Sequence, residues 1–169
     1  MKPSMIECPG CHLVLPDRHL DPPDRLQASG ECFQLFSDLQ CYSVSKQDRD
    51  FIHQHVADIY AAQHAGGRTR PITVVFGLIG LHLALEHGYT GKEVQHAHMA
   101  IARVRKDWPL LDPPGRPAGP TVRDVLEAAT NAEKDAMIRR WMAAVWEIWS
   151  DRHARVRKMT ESLLQPAGK

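Results

Sequence analysis

The sharpest chemical signal in the chain is Cys8-Pro9-Gly10-Cys11. A CxxC turn lets two thiolates point at one cation, and a glycine inside it permits the tight backbone this needs. The same spacing also builds redox dithiols, but those open a helix that follows a strand in a βαβ unit. No strand pattern precedes Cys8, and a segment rich in Pro and Asp follows it (Leu15-Pro16-Asp17, Asp21-Pro22-Pro23-Asp24). The pair therefore reads as metal-binding. The other two cysteines are Cys32 and Cys41, and in a reducing compartment an even count does not imply disulfides.

A tetrahedral zinc site needs two further ligands. If the first two helices form an antiparallel hairpin turning near Ser43, residues equidistant from the turn share a level. Cys32 lies eleven positions before Ser43 and Gln54 eleven after it, so His53 and His55 flank the level of Cys32. Residues two apart point to nearly opposite sides of a helix, so only one of the two can serve. On this geometry His64, roughly 15 Å further along the helix, is too distant. Cys32 could equally be a small buried apolar residue, and Cys41, far from that level, reads as a packed thiol.

Other groups are chemically capable. Asp58, Tyr60, His64 and His153 could carry a His-based or metal-dependent reaction, with His64 as general base. Their plainer reading is ordinary polar residues. Glu93-Val94-Gln95-His96 is the ExxH of carboxylate-bridged di-metal bundles, but those need a second copy, and none is present. His82 sits in an apolar helix and reads as a hydrogen-bonded core histidine. HExxH, GxSxG and phosphate-binding glycine loops are absent.

The elements that must position these groups follow from capping and periodicity. Residues 1–29 read as a knuckle plus an irregular loop, a length that something must hold; a metal would. Ser29 suits the N-cap of a first helix. Ser43-Val44-Ser45 reads as punctuation, with Ser45 capping a second helix from Lys46 to His64, stopped by Gly66-Gly67. Pro71 opens a third helix, apolar on most sides and so central, where Gly77 and Gly80 allow close approach; Gly88 stops it. Thr90-Gly91-Lys92-Glu93 is a capping box for a fourth helix. Five prolines between Trp108 and Pro120 read as a loop. Thr121 opens a short fifth helix. Thr130 opens a last one, predicted to run to Leu164 with Ile138, Trp141, Met142, Val145, Trp146 and Trp149 as its buried stripe. No period-two strand pattern is visible. The expected fold is all-α: one domain, a bundle of five to six helices with an irregular N-terminal zinc-knuckle segment and a flexible tail over 165–169.

Composition narrows the function classes. The chain has 169 residues, 43% hydrophobic and 24% charged, which suits a packed domain. Lys+Arg total 21 against 20 Asp+Glu, a net charge of +1, which disfavours nucleic acid as a partner. The longest apolar stretch, Ile72 to Leu85, is too short for a membrane span, and the first residues have no signal-peptide core. A cytoplasmic location is the default expectation.

Taken together, these residues resemble an uncharacterised bacterial family of CPGC-containing helical proteins, a domain of unknown function. The resemblance spans nearly the whole chain. It rests on Cys8-Pro9-Gly10-Cys11, Ser29 and Cys32, then His53, Asp58, Tyr60, Gln63 and His64. It continues through Gly80, Leu85, Glu86, Thr121-Val122, Trp141, Val145, Trp146, Trp149 and His153. It implies a helical fold and a metal site, and it favours His53 over His55. Where the family tends to carry a histidine this chain has Gly77, and where it tends to carry a proline after His64 this chain has Ala65. Any family activity that needs that histidine would be lost or altered here.

The resulting expectation is a structural zinc held by Cys8, Cys11, Cys32 and His53. Its four protein ligands leave no open position. Function would then lie in binding a protein or small-molecule partner; an enzyme is the alternative.

Overall fold

The computed structural model describes residues 2–115 and 119–165, so residues 166–169 of the expected tail lie outside it. A short antiparallel hairpin, β1 (Met5–Glu7) and β2 (Val14–Pro16), comes first and brackets the CxxC turn. Ile6 faces Leu15 across it. The sequence reading of no strand before Cys8 is corrected here: three-residue strands are too short to show an alternation of period two. The helices that follow are α1 (Gly30–Ser45), α2 (Ile52–Gln63), α3 (Pro71–His87), α4 (Gly91–Val104), α5 (Val122–Glu127), α6 (Asn131–Ile148) and α7 (His153–Leu164). The fold is mostly helical, as expected, with seven helices among the described residues rather than five or six.

Several boundaries follow the local chemistry. The Ser29 hydroxyl accepts the Cys32 N–H at 3.1 Å and starts α1. Thr90 and Glu93 form the capping box of α4, and Thr130 and Glu133 that of α6. The Asp124 carboxylate accepts the Thr121 N–H at 2.7 Å and opens α5. Gly88, at φ 69°, ends α3 in the left-handed region.

Two boundaries differ. Ser43 and Ser45 do not interrupt the chain: their hydroxyls donate to the Gln40 and Tyr42 carbonyls, so α1 runs on through both. The connection is Lys46 to Phe51, and the Asp48 carboxylate, rather than Ser45, accepts the first amide of α2 from Ile52 at 3.2 Å. The last helix also breaks. Trp149 adopts φ −95°, ψ 13°, and a single 3₁₀ turn (Ser150–Arg152) re-aims the chain into α7.

α3 is the central helix, with Val74, Val75, Leu78, Ile79, Leu81 and Leu83 all buried. It packs closely on α2. A Cβ on Gly77 would approach the Asp58 carbonyl oxygen at 2.9 Å, and one on Gly80 would run into the Asp58 carboxylate. A histidine at position 77 would therefore require the two helices to separate. From the other side α6 presents Trp141, Val145 and Trp146 to the core. Trp141 donates its indole N–H to Gln63 Oε1 at 3.0 Å, and Trp149 donates to the Ala62 carbonyl at 3.2 Å. These two bonds fix the C-terminal end of α2, where the site lies. Among the described residues no helix is long and apolar enough to cross a membrane.

Candidate metal centre

Three thiols and one imidazole converge where the hairpin meets the first helix pair. The ligand atoms of Cys8, Cys11, Cys32 and His64 all lie within 4.8 Å of one another, and all four residues are buried. Cys11 Sγ is 3.7 Å from Cys32 Sγ, which is 3.5 Å from His64 Nε2. Backbone bonds between Cys8 and Leu13 and between His12 and Cys8, each 2.9 Å, close the knuckle. Gly10 has to be glycine: a Cβ there would run into the Gln27 carbonyl oxygen and lie 2.6 Å from His64 Cδ2.

His53 does not join the group, which corrects the ligand expected from sequence. Its Nδ1 is 2.9 Å from the Ser43 hydroxyl, at the opposite end of the hairpin. The reason is the position of the turn. Asp48, in the middle of the α1–α2 connection, is the midpoint of Ser43 and His53, of Phe36 and Tyr60, and of Cys32 and His64. Each of these pairs is in contact. Moving the turn from Ser43 to Asp48 shifts the partner of Cys32 from the level of Gln54 to His64. His55 is likewise far down the helix, in the wall of a separate cavity.

His64 is held in one orientation. Its Nδ1 is 2.9 Å from the Tyr60 carbonyl oxygen, which can only accept, so Nδ1 carries the proton and Nε2 offers its lone pair to the thiols. Its ring stacks on Tyr60, which stacks on Phe36, both at 3.8 Å between centroids. The His64 carbonyl accepts from the Gln27 amide and the Thr69 hydroxyl, pinning the loop before α1 to the end of α2. Tyr60 donates its hydroxyl to Cys32 Sγ at 3.4 Å. The buried Glu31 carboxylate accepts the Arg18 and Leu20 amides at 3.0 and 3.2 Å and anchors the irregular segment.

The electrostatics are those of a shared thiolate. Hydrogen bonds from Cys11 and then Cys32 hold the Cys8 thiol far below its ordinary value. Cys11 is pushed up by its hydrogen bonds to Cys32 and Cys8. For Cys32 the bond with Cys11 works downward, but the bond to Cys8 and burial prevail and push it up to about 12. A cation among the three sulfurs would replace the protons that now separate them.

The remaining candidates separate. Tyr60 and His64 belong to this group. Asp58 is buried against α3; Gln54 donates to its Oδ1 at 3.1 Å, and Oδ2 has no partner. His153 stacks on Trp146 at 3.8 Å and places Nε2 2.8 Å from the Trp146 carbonyl, on α7. The four do not form one catalytic constellation. Glu93 is committed to its cap, and Cys41 is exposed on α1 rather than packed. His82 is buried with Nδ1 2.8 Å from Glu86 Oε2. Sequence reasoning missed Glu31 and the support from Tyr60. A polar residue in the first turn of α1 and an aromatic one turn before His64 were the available signals.

The family model described as "Family of unknown function (DUF5946)" matches residues 6–150, and the chain belongs to that family. No curated protein and no solved structure matches it.

Proposed function

We propose that this family member is a zinc-bearing binding protein, in which Cys8, Cys11, Cys32 and His64 hold one structural zinc. The single observation that carries the reading is the spacing of the donors. Tetrahedral zinc with Zn–S about 2.3 Å and Zn–N about 2.0–2.1 Å separates sulfurs by about 3.8 Å and sulfur from nitrogen by about 3.5 Å. Cys11 and Cys32 stand 3.7 Å apart and Cys32 and His64 3.5 Å, and all four donors lie within 4.8 Å of one another. Three sulfurs and an imidazole suit zinc rather than calcium or magnesium.

When bound, the ion supplies a cross-link between the hairpin, α1 and α2. The donors are four and buried, so no position remains for a reacting water, and the chemistry is structural. The chain's own residues do the rest: Tyr60 orients His64 and hydrogen-bonds Cys32, and Gly10 lets the knuckle reach the end of α2. Free thiols in this number suit a reducing, cytoplasmic setting. The protein's work then lies in binding at a surface or cavity away from the ion.

Elemental analysis of the purified chain, with a cobalt(II)-substituted sample for its absorption spectrum, tests the reading. One metal per chain and a thiolate-rich tetrahedral cobalt spectrum are expected. A metal-free chain with unchanged helicity and melting temperature would overturn it.

A further inference from the structure

The C-terminal half of α3 and the end of α7 border a cavity of about 300 Å³. That volume suits a ligand the size of a single ring. Leu83, Tyr89 and Leu164 supply its apolar walls, and His82, Thr160 and Glu161 much of its polar side. It shares no residue with the metal group.

His82 is only 3% exposed, yet its ring makes no hydrogen bond among the described residues. Its two nitrogens differ. Nδ1 is sealed from solvent beside Glu86 Oε2, 2.8 Å away in a contact too bent for a hydrogen bond. Arg157 fixes that carboxylate, donating from Nε to Oε2 at 2.8 Å and from a terminal nitrogen to Oε1 at 2.6 Å. A carboxylate oxygen so close repels a lone pair, so the ring proton belongs on Nδ1. Nε2 then carries the lone pair, and it is the ring nitrogen left open, on the side of the cavity. Trp146, stacked at 6.0 Å between centroids, and His87, perpendicular at 4.8 Å, hold the ring in place. Burial lowers the His82 pKa against the pull of Glu86, so the ring stays neutral at neutral pH. A buried side chain with an unpaired acceptor is rare, and this acceptor faces a cavity of ligand size.

We propose that this cavity binds a small uncharged molecule with one hydroxyl and an apolar body of ring size, the hydroxyl donating to His82 Nε2 and the body lying on Leu83, Tyr89 and Leu164. The proposal rests on the reading of the chain as a binding protein and deepens it by naming the ligand class. Arg157 and Glu86 are positioning residues: they hold the proton on Nδ1 and so keep Nε2 an acceptor. An anionic head is disfavoured, because the Arg157 charge is spent on Glu86 and Glu161 stands in the wall. An ammonium must shed its hydration beside apolar side chains, which costs far more than it does for a hydroxyl.

The test uses full-length protein whose metal content has been measured. Phenol, anisole, benzoate and benzylamine are titrated separately while the backbone amides and the imidazole nitrogens are followed by NMR. Phenol is expected to shift the amides of Leu83, Tyr89 and Thr160 saturably and to move the His82 Nε2 resonance. Anisole, which keeps the ring but has no O–H to donate, should bind about tenfold more weakly. His82→Phe keeps a ring without the acceptor, and should bring phenol down to the level of anisole. Glu86→Gln, which no longer pins the proton on Nδ1, should weaken phenol and leave anisole unchanged. If His82→Phe does not fold, the phenol-to-anisole ratio and Glu86→Gln decide. The proposal is overturned if anisole, benzoate or benzylamine binds as tightly as phenol, if phenol leaves the Nε2 resonance unmoved, or if folded His82→Phe still prefers phenol to anisole. It is overturned too if no probe binds protein carrying one zinc per chain. Failure of the zinc reading would instead appear as a metal-free chain, whatever phenol does.

Discussion

Cys32 and His64 meet at 3.5 Å between Sγ and Nε2 although 32 positions separate them in the chain. They meet because Asp48 is at once their midpoint and the middle of the α1–α2 connection. The same symmetry pairs Phe36 with Tyr60 and Ser43 with His53. One turn position thus decides which histidine joins the thiols and which is left at the other end.

The histidines can be separated by single substitutions. His64→Ala is expected to lose the metal and several kcal/mol of stability together, since metal-binding energy in such a site is folding energy. His53→Ala removes the bond to Ser43, about 0.5–1.5 kcal/mol, and a tilted contact with Phe51, and should keep the metal. Metal-to-chain ratio and urea unfolding of both variants check this. Retention of metal by His64→Ala would mean that the cysteines find their fourth ligand elsewhere.

Gly10→Ala adds a single methyl where the Gln27 carbonyl and the His64 ring already stand. The knuckle must move away from α2, and we expect a loss of about 1–3 kcal/mol with weakened metal retention in chelator competition. Gly67→Ala is the control, because nothing lies within 4 Å of its added Cβ.

Tryptophans on α6 fill the core, and Trp141 reaches the end of α2 that carries the site. Trp146→Ala should cost about 3–5 kcal/mol, as expected for a buried indole. Trp141→Phe preserves an aromatic ring but leaves Gln63 Oε1 without its donor, for about 1–3 kcal/mol. Denaturant midpoints read both. A Trp146→Ala change below about 1 kcal/mol would instead mark that ring as a binding surface.

His98 sets an acid-side limit on stability. Burial drops its pKa to about 4, against an ordinary value of 6.5. In the neutral ring Nε2 donates to the Phe76 carbonyl at 3.0 Å, and Nδ1 can accept from the Gln54 amide at 3.4 Å. The folded pKa is depressed, so this contribution is complete above pH 6.5 and is lost as pH falls toward 4. The loss is on the order of 3 kcal/mol. Urea unfolding between pH 4 and 7.5 should show this slope, and His98→Gln should flatten it. An unchanged slope would assign the effect to another group.

Much of the local structure was written in short-range chemistry. The Ser29, Thr90 and Thr130 caps, Pro71 at the start of α3 and Gly88 at its end depend only on residues within a turn of each other. The apolar circumference of α3 and the indole stripe of α6 likewise announced what they bury. The CxxC pair, with its glycine, identified the kind of chemistry from four consecutive residues.

Tertiary structure decided the rest, because the deciding contacts are long-range. A serine pair that reads as a stop is compatible with helix when its hydroxyls bond back to carbonyls in the same turn, and local sequence does not distinguish the two. That ambiguity moved the turn from Ser43 to Asp48, which replaced His53 by His64. The break at Trp149 similarly follows from an indole that must reach the Ala62 carbonyl on α2. Residue types specified thiols able to hold a metal; the packing of α2 against α1 and α6 determined which histidine stands with them.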